Sequence, residues 1–167
     1  MKRFITLLSI FASAAAWAEP TVLRAPELGW EARFDAPATS KVEESSSATA
    51  YRYVGNAGKF SLSLAIEPPL CRGGGSPREQ FDCFFGRMEK IPGLVSQSVK
   101  VKKAANGVLI SYVAYAPVDG VNTKFMHVHI LFADKGLWGD LHGAVSKPEA
   151  EDSAMLLSLG SSFSYSN

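Results

Sequence analysis

Apolar and polar positions alternate one for one along much of this chain, the period expected of half-buried strands. The cleanest stretch is Phe60 to Ile66, where Phe60, Leu62, Leu64 and Ile66 fall on one side and Ser61, Ser63 and Ala65 on the other. Trp30 to Phe34 and the pair Tyr51 and Tyr53 carry the same alternation, and Gly55-Asn56-Ala57-Gly58 reads as the turn that follows. The second half predicts four antiparallel strands in succession. Val95, Val99 and Val101 mark the first, Val108 to Ala116 the second, Phe125 to Phe132 the third and Leu137 to Val145 the fourth. Asn106-Gly107, Asp119-Gly120 and Asp134-Lys135-Gly136 supply the turns between them.

Two segments switch to a helical period. Ser76-Pro77-Arg78-Glu79 combines an N-cap serine, proline in the first turn and a glutamate three residues after the cap. Phe81, Phe84, Phe85 and Met88 then recur at the spacing of one apolar helix face, and Pro92-Gly93 ends the segment. Ser146-Lys147-Pro148-Glu149 repeats the start signal and predicts a last helix through Leu159, with Gly160 ending it and Phe163 and Tyr165 anchoring the tail. Residues 19–29 are Pro-punctuated, and the serine-rich stretch Ser40 to Ser47 and Arg72-Gly73-Gly74-Gly75 read as loops.

The N-terminus alters this picture. Lys2 and Arg3 precede an apolar run from Phe4 to Ala15, and Ala16-Trp17-Ala18 forms a small-x-small cleavage site. Residues 1–18 therefore read as a signal peptide and 19–167 as a single α/β domain. The run is short for a bilayer span of roughly 20 residues, so no integral membrane segment is expected. Export places the protein in the periplasm or outside the cell. Without Lys2 and Arg3 the 17 basic and 16 acidic residues become 15 and 16, a formal charge of −1, which argues against nucleic acid as a partner. In an oxidising compartment Cys71 and Cys83, separated by a Gly- and Pro-rich loop, are expected to form a structural disulfide.

The order of elements, closing in Leu157-Ser158-Leu159-Gly160-Ser161-Ser162-Phe163, resembles the PsbP-like superfamily over about Trp30 to Phe163. The resemblance implies an α+β fold, an antiparallel sheet with flanking helices in an α/β/α sandwich. It also implies an assembly or interaction role rather than catalysis.

Three histidines and an aspartate are the most suggestive cluster. Val128, Ile130 and Phe132 share one strand face, so His127 and His129 project from the other. If Leu137, Leu141 and Val145 take the core side, the hairpin pairs Phe132 with Gly139 and His129 with His142. Asp140 then lies diagonally close, and the Asp119-Gly120 turn sets Tyr112 opposite His127. His127, His129, His142 and Asp140 could ligate zinc or copper. They could equally be half-buried polar groups bonded to neighbours, and a three-residue turn would send His142 to the opposite face. Trp138 falls on the histidine side. No G-x-S-x-G elbow is present, and the glycine run fits neither the Walker nor the dinucleotide pattern.

These observations predict a non-enzymatic exported protein-binding module without a cofactor. Its partner would be another protein: it would act as an accessory factor of an envelope complex or as an immunity-type inhibitor of a secreted toxin. The alternative is a periplasmic metal-binding protein that uses the histidine cluster.

Overall fold

The structure, a computed structural model, describes residues 20–71 and 75–167, so the expected signal peptide and most of the glycine run lie outside the described residues. It is an α+β fold of mostly antiparallel strands with two helices and one disulfide. The strands are β1 (Pro20–Ala25), β2 (Trp30–Asp35), β3 (Ser40–Ser46), β4 (Tyr51–Ala57), β5 (Phe60–Glu67), β6 (Lys100–Ala104), β7 (Gly107–Val118), β8 (Val121–Asp134), β9 (Leu137–Ser146) and β10 (Ser164–Ser166). The helices are α1 (Pro77–Met88) and α2 (Ala150–Ser162). Seven strands form one sheet in the order β3-β4-β5-β9-β8-β7-β6, and β1, β2 and β10 form a second. The meander expected from residues 95–145 is thus β6 to β9, with β5 pairing onto its free side through β9.

The large sheet buries both faces. Phe60, Leu62, Leu64, Ile66, Val128, Ile130, Phe132, Leu141 and Val145 pack with Leu156 and Leu159 of α2 and with Trp30, Ala32 and Phe34 of the small sheet. On the reverse face Ile110, Tyr112, Ala114 and Leu131 pack under Phe81, Phe84 and Met88 of α1. Tyr165 stacks on Trp30 with ring centroids 5.2 Å apart, so β10 closes the small sheet with an aromatic lock as well as a ladder. Both hairpins that flank β8 use two-residue turns with left-handed backbone at each central position, φ +50° and +78° at Asp119 and Gly120 and +49° and +77° at Lys135 and Gly136. That turn type matches the right-handed strand twist.

Several expectations are corrected. Ser40–Ser46 is an edge strand rather than a loop; all seven residues are exposed, so no apolar face announces it, and a bulge at Val42 interrupts its pairing. Gly55, Asn56 and Ala57 belong to β4, and the chain turns at Gly58-Lys59. Val95 and Val99 precede β6, separated by a 3-10 turn at Ser96–Ser98. Phe85 is exposed and stacks on Phe81 rather than joining the buried stripe. The last helix starts at Ala150 with Glu149 as its cap, because Ser146 is still paired in β9 and Lys147 turns the chain with φ +51°. Gly160 does not end that helix. It lies inside it, where a Cβ would overlap Leu109, so the missing side chain lets α2 approach the sheet.

Helix α1 follows its sequence signal closely. Ser76 Oγ accepts from Glu79 N–H, and the Glu79 carboxylate accepts from Ser76 N–H, the reciprocal pair that satisfies two orphan donors. The Cys71–Cys83 disulfide ties its second turn to the end of the loop after β5.

Candidate functional site

The reverse face of the large sheet gathers the cluster through the β8–β9 register, which the two-residue Lys135-Gly136 turn sets. Phe132 faces Gly139 and His129 faces His142 across the hairpin, and Tyr112 of β7 faces His127. A Cβ at residue 139 would overlap the Phe132 ring, so glycine there permits the close cross-strand fit. All four predicted side chains, His127, His129, His142 and Asp140, come together, with Tyr112 beside them.

Their polar atoms are engaged with one another. His127 Nδ1 and His142 Nε2 are 3.0 Å apart, a hydrogen bond in which one ring donates and the other accepts. His129 Nδ1 lies 3.0 and 3.1 Å from the two Asp140 oxygens, and its Nε2 is 3.3 Å from the Tyr112 hydroxyl. The rings also stack: His129 on His142 at 4.1 Å, Tyr112 on His127 at 4.8 Å, with the Phe84 ring of α1 4.7 Å from His129. Among the described residues no group of three or more His, Cys, Asp or Glu side chains is arranged to hold a metal ion. Sharing a face is therefore a weaker condition than converging on a point, and the ladder of stacked rings meets only the first.

Burial sets the charge state. Desolvation pushes His127 down from 6.5 to about 4, assisted by the charge that His129 would carry if protonated. It also pushes His142 well below its ordinary value, with repulsion from protonated His129 and His127 adding to it. Burial, then the negative charge of Asp140, raises the Tyr112 phenol to about 12. The series Asp140, His129, Tyr112 has the connectivity of a carboxylate–imidazole–hydroxyl relay, but its hydroxyl keeps its proton at neutral pH. None of the three imidazoles bonds a serine among the described residues.

Beside this ladder, between α1 and the sheet, is an open cavity of about 350 Å³. Phe84, Met88 and Leu131 supply apolar wall, Asp140 and His129 connect it to the ladder, and Glu67 and Arg87 also line it. Gln80 and Trp138 line it too, 5% and 4% exposed respectively. Gln80 Nε2 donates to the Gly139 carbonyl at 2.6 Å, while its Oε1 and the Trp138 indole N–H have no partner among the described residues. Sequence reasoning placed Trp138 on this side and missed Gln80. Its signal was a polar residue in register with Phe84 and Met88 at i, i+4 and i+8, the stripe α1 turns toward the sheet.

A second feature is the far end of the β7–β8 hairpin. The segment before β6 borders β7 as far as Tyr115, whose N–H donates to the Gly93 carbonyl, and Lys147 N–H donates to the Lys124 carbonyl beyond the end of β9, so residues 116–123 form a two-stranded arm past both neighbours. Its tip exposes Val118 (42%) and Val121 (62%), paired across the hairpin.

No helix among the described residues is long and apolar enough to cross a membrane. Comparison with models of known protein families finds no match, and comparison with curated protein sequences finds none either. The fold and site define an α+β domain with a stacked imidazole ladder, an adjoining cavity and an apolar-tipped arm.

Proposed function

We propose that this chain is a non-enzymatic exported protein-binding module that docks on another protein through the β7–β8 arm. The observation that carries this reading is the exposure of Val118 and Val121, paired side by side at one projecting hairpin tip. Clustered apolar side chains held away from the core do nothing for folding and are what a partner surface buries. The closed disulfide suits an oxidising compartment, consistent with a periplasmic or secreted protein. Two helices on opposite faces of an antiparallel sheet are compatible with the PsbP-like sandwich and with its interaction roles. Within this reading the partner is a component of an envelope complex that the protein serves as accessory factor, or a secreted toxin that it blocks as an immunity-type inhibitor.

The two outer edges of the large sheet are poorer docking sites. β3 carries charged residues and a bulge, and β6 presents Lys100, Lys102 and Lys103, features that discourage strand addition. A photo-crosslinking residue at Val121, introduced in cells that make the protein naturally, should capture one defined protein. The same residue at Val42 on the β3 edge should not. The adduct should vanish when Val118→Asp is added. Equal capture at both positions, or capture insensitive to Val118→Asp, would refute docking through the arm.

A further inference from the structure

We propose that the cavity between α1 and the large sheet binds a small organic amine, a primary ammonium on an apolar stem. This site is separate from the arm and does not depend on it.

The cavity's volume, about 350 Å³, lies within the range of roughly 300–1,000 Å³ typical of small-ligand sites. Its lining carries two carboxylates, Asp140 and Glu67, beside the Arg87 guanidinium and the Trp138 indole N–H, a donor without a partner among the described residues. Asp140 spends one interaction on His129 Nδ1, and a carboxylate has about four lone-pair directions to offer. Glu67 makes no hydrogen bond or ion pair among the described residues. Gln80 also lines the cavity, more than nine-tenths buried, and its Oε1 has no donor among the described residues.

An ammonium group brings three N–H donors for the Asp140 and Glu67 carboxylates, and leaves the Trp138 indole N–H unserved. Among the described residues Arg87 is the one guanidinium on the lining and stands against two carboxylates, a balance that favours a cation. His129 adds no acceptor, because its Nδ1 faces Asp140 and its Nε2 faces Tyr112. The remaining wall of Phe84, Met88, Leu131, Ile91 and Leu70 suits a hydrocarbon or aryl stem.

Phenethylamine titrated into the ¹⁵N-labelled mature protein provides the test, read from the Trp138 indole N–H resonance. Saturable shifts of that signal are expected, with the neutral isostere 2-phenylethanol binding tenfold or more weakly. Asp140→Asn, which can still accept from His129, and Glu67→Gln, on the cavity lining, should each weaken amine binding while leaving the rest of the spectrum in place. Equal binding of amine and alcohol would overturn the ammonium assignment and leave an apolar cavity. Amine binding unchanged in the Asp140→Asn/Glu67→Gln double variant, or no saturable Trp138 shift, would also overturn it.

Discussion

His127 Nδ1 and His142 Nε2 sit 3.0 Å apart on neighbouring strands, and one proton serves the two rings. Protonating either ring places a cation in a desolvated stack, and protonating the accepting nitrogen also removes the lone pair that holds the bond. The desolvated pair is therefore most stable while both imidazoles are neutral.

Acid should loosen it. The folded His127 pKa, about 4, lies below the unfolded value of 6.5, so the unfolded chain binds protons more readily between those values. The stability this group contributes is complete above about pH 6.5 and lost as pH falls toward 4, with a ceiling of about 3 kcal/mol set by the gap. Urea titrations at pH 7.5 and pH 5 should show a lower midpoint at pH 5. His127→Phe should flatten that dependence, and a variant with the wild-type slope would show that acid acts elsewhere.

Gly139→Ala should destabilise the protein by about 1–3 kcal/mol, because the added methyl meets the Phe132 ring across the hairpin. Ala at Gly86, where a Cβ meets nothing within 4 Å, should be neutral or stabilising, as expected in an exposed helix interior. Chemical denaturation of the two variants separates a steric effect from a general intolerance of substitution.

Lys135→Asn should leave the fold unchanged and raise stability by roughly 0.5 kcal/mol, since residue 135 occupies the left-handed region that asparagine visits more readily. Gly136→Val, at φ +77°, should cost about 1–2 kcal/mol by the same argument. Opposite signs for the two changes in thermal melts would verify the two-residue turn that keeps His142 beside His129.

Replacing Cys71 and Cys83 together by serine should lower stability by about 2–3 kcal/mol, the amount expected for closing a loop of this length. Hydrogen exchange should rise most in α1, which the bridge ties to the chain after β5. Uniform loss of protection across the large sheet would instead place the disulfide in the global folding unit.

Much of the sheet was legible because its strands carry an unbroken two-residue period and its turns carry glycine after Asp or Lys. Val128, Ile130 and Phe132 on one strand and Leu137, Leu141 and Val145 on the next leave only registers of odd sum, the simplest of which pairs Phe132 with Gly139, and the two-residue turn at Lys135-Gly136 adopts it. The meeting of His129 with His142 and Asp140 follows from it. The β3 edge was illegible for the converse reason: Ser40–Ser46 buries nothing, so its strand geometry comes from backbone pairing with β4 alone. Gly160 misled because the sequence shows a missing side chain without showing that Leu109 needs the space.

The sequence by itself determined which residues share a face, since strand period and turn length are local properties of the chain. Only the tertiary structure decided what that face does. The seat of α1 across β7 and β8 is a long-range packing outcome. It set the Phe84 ring against His129, left Gln80 Oε1 without a donor among the described residues, and opened the cavity beside Asp140.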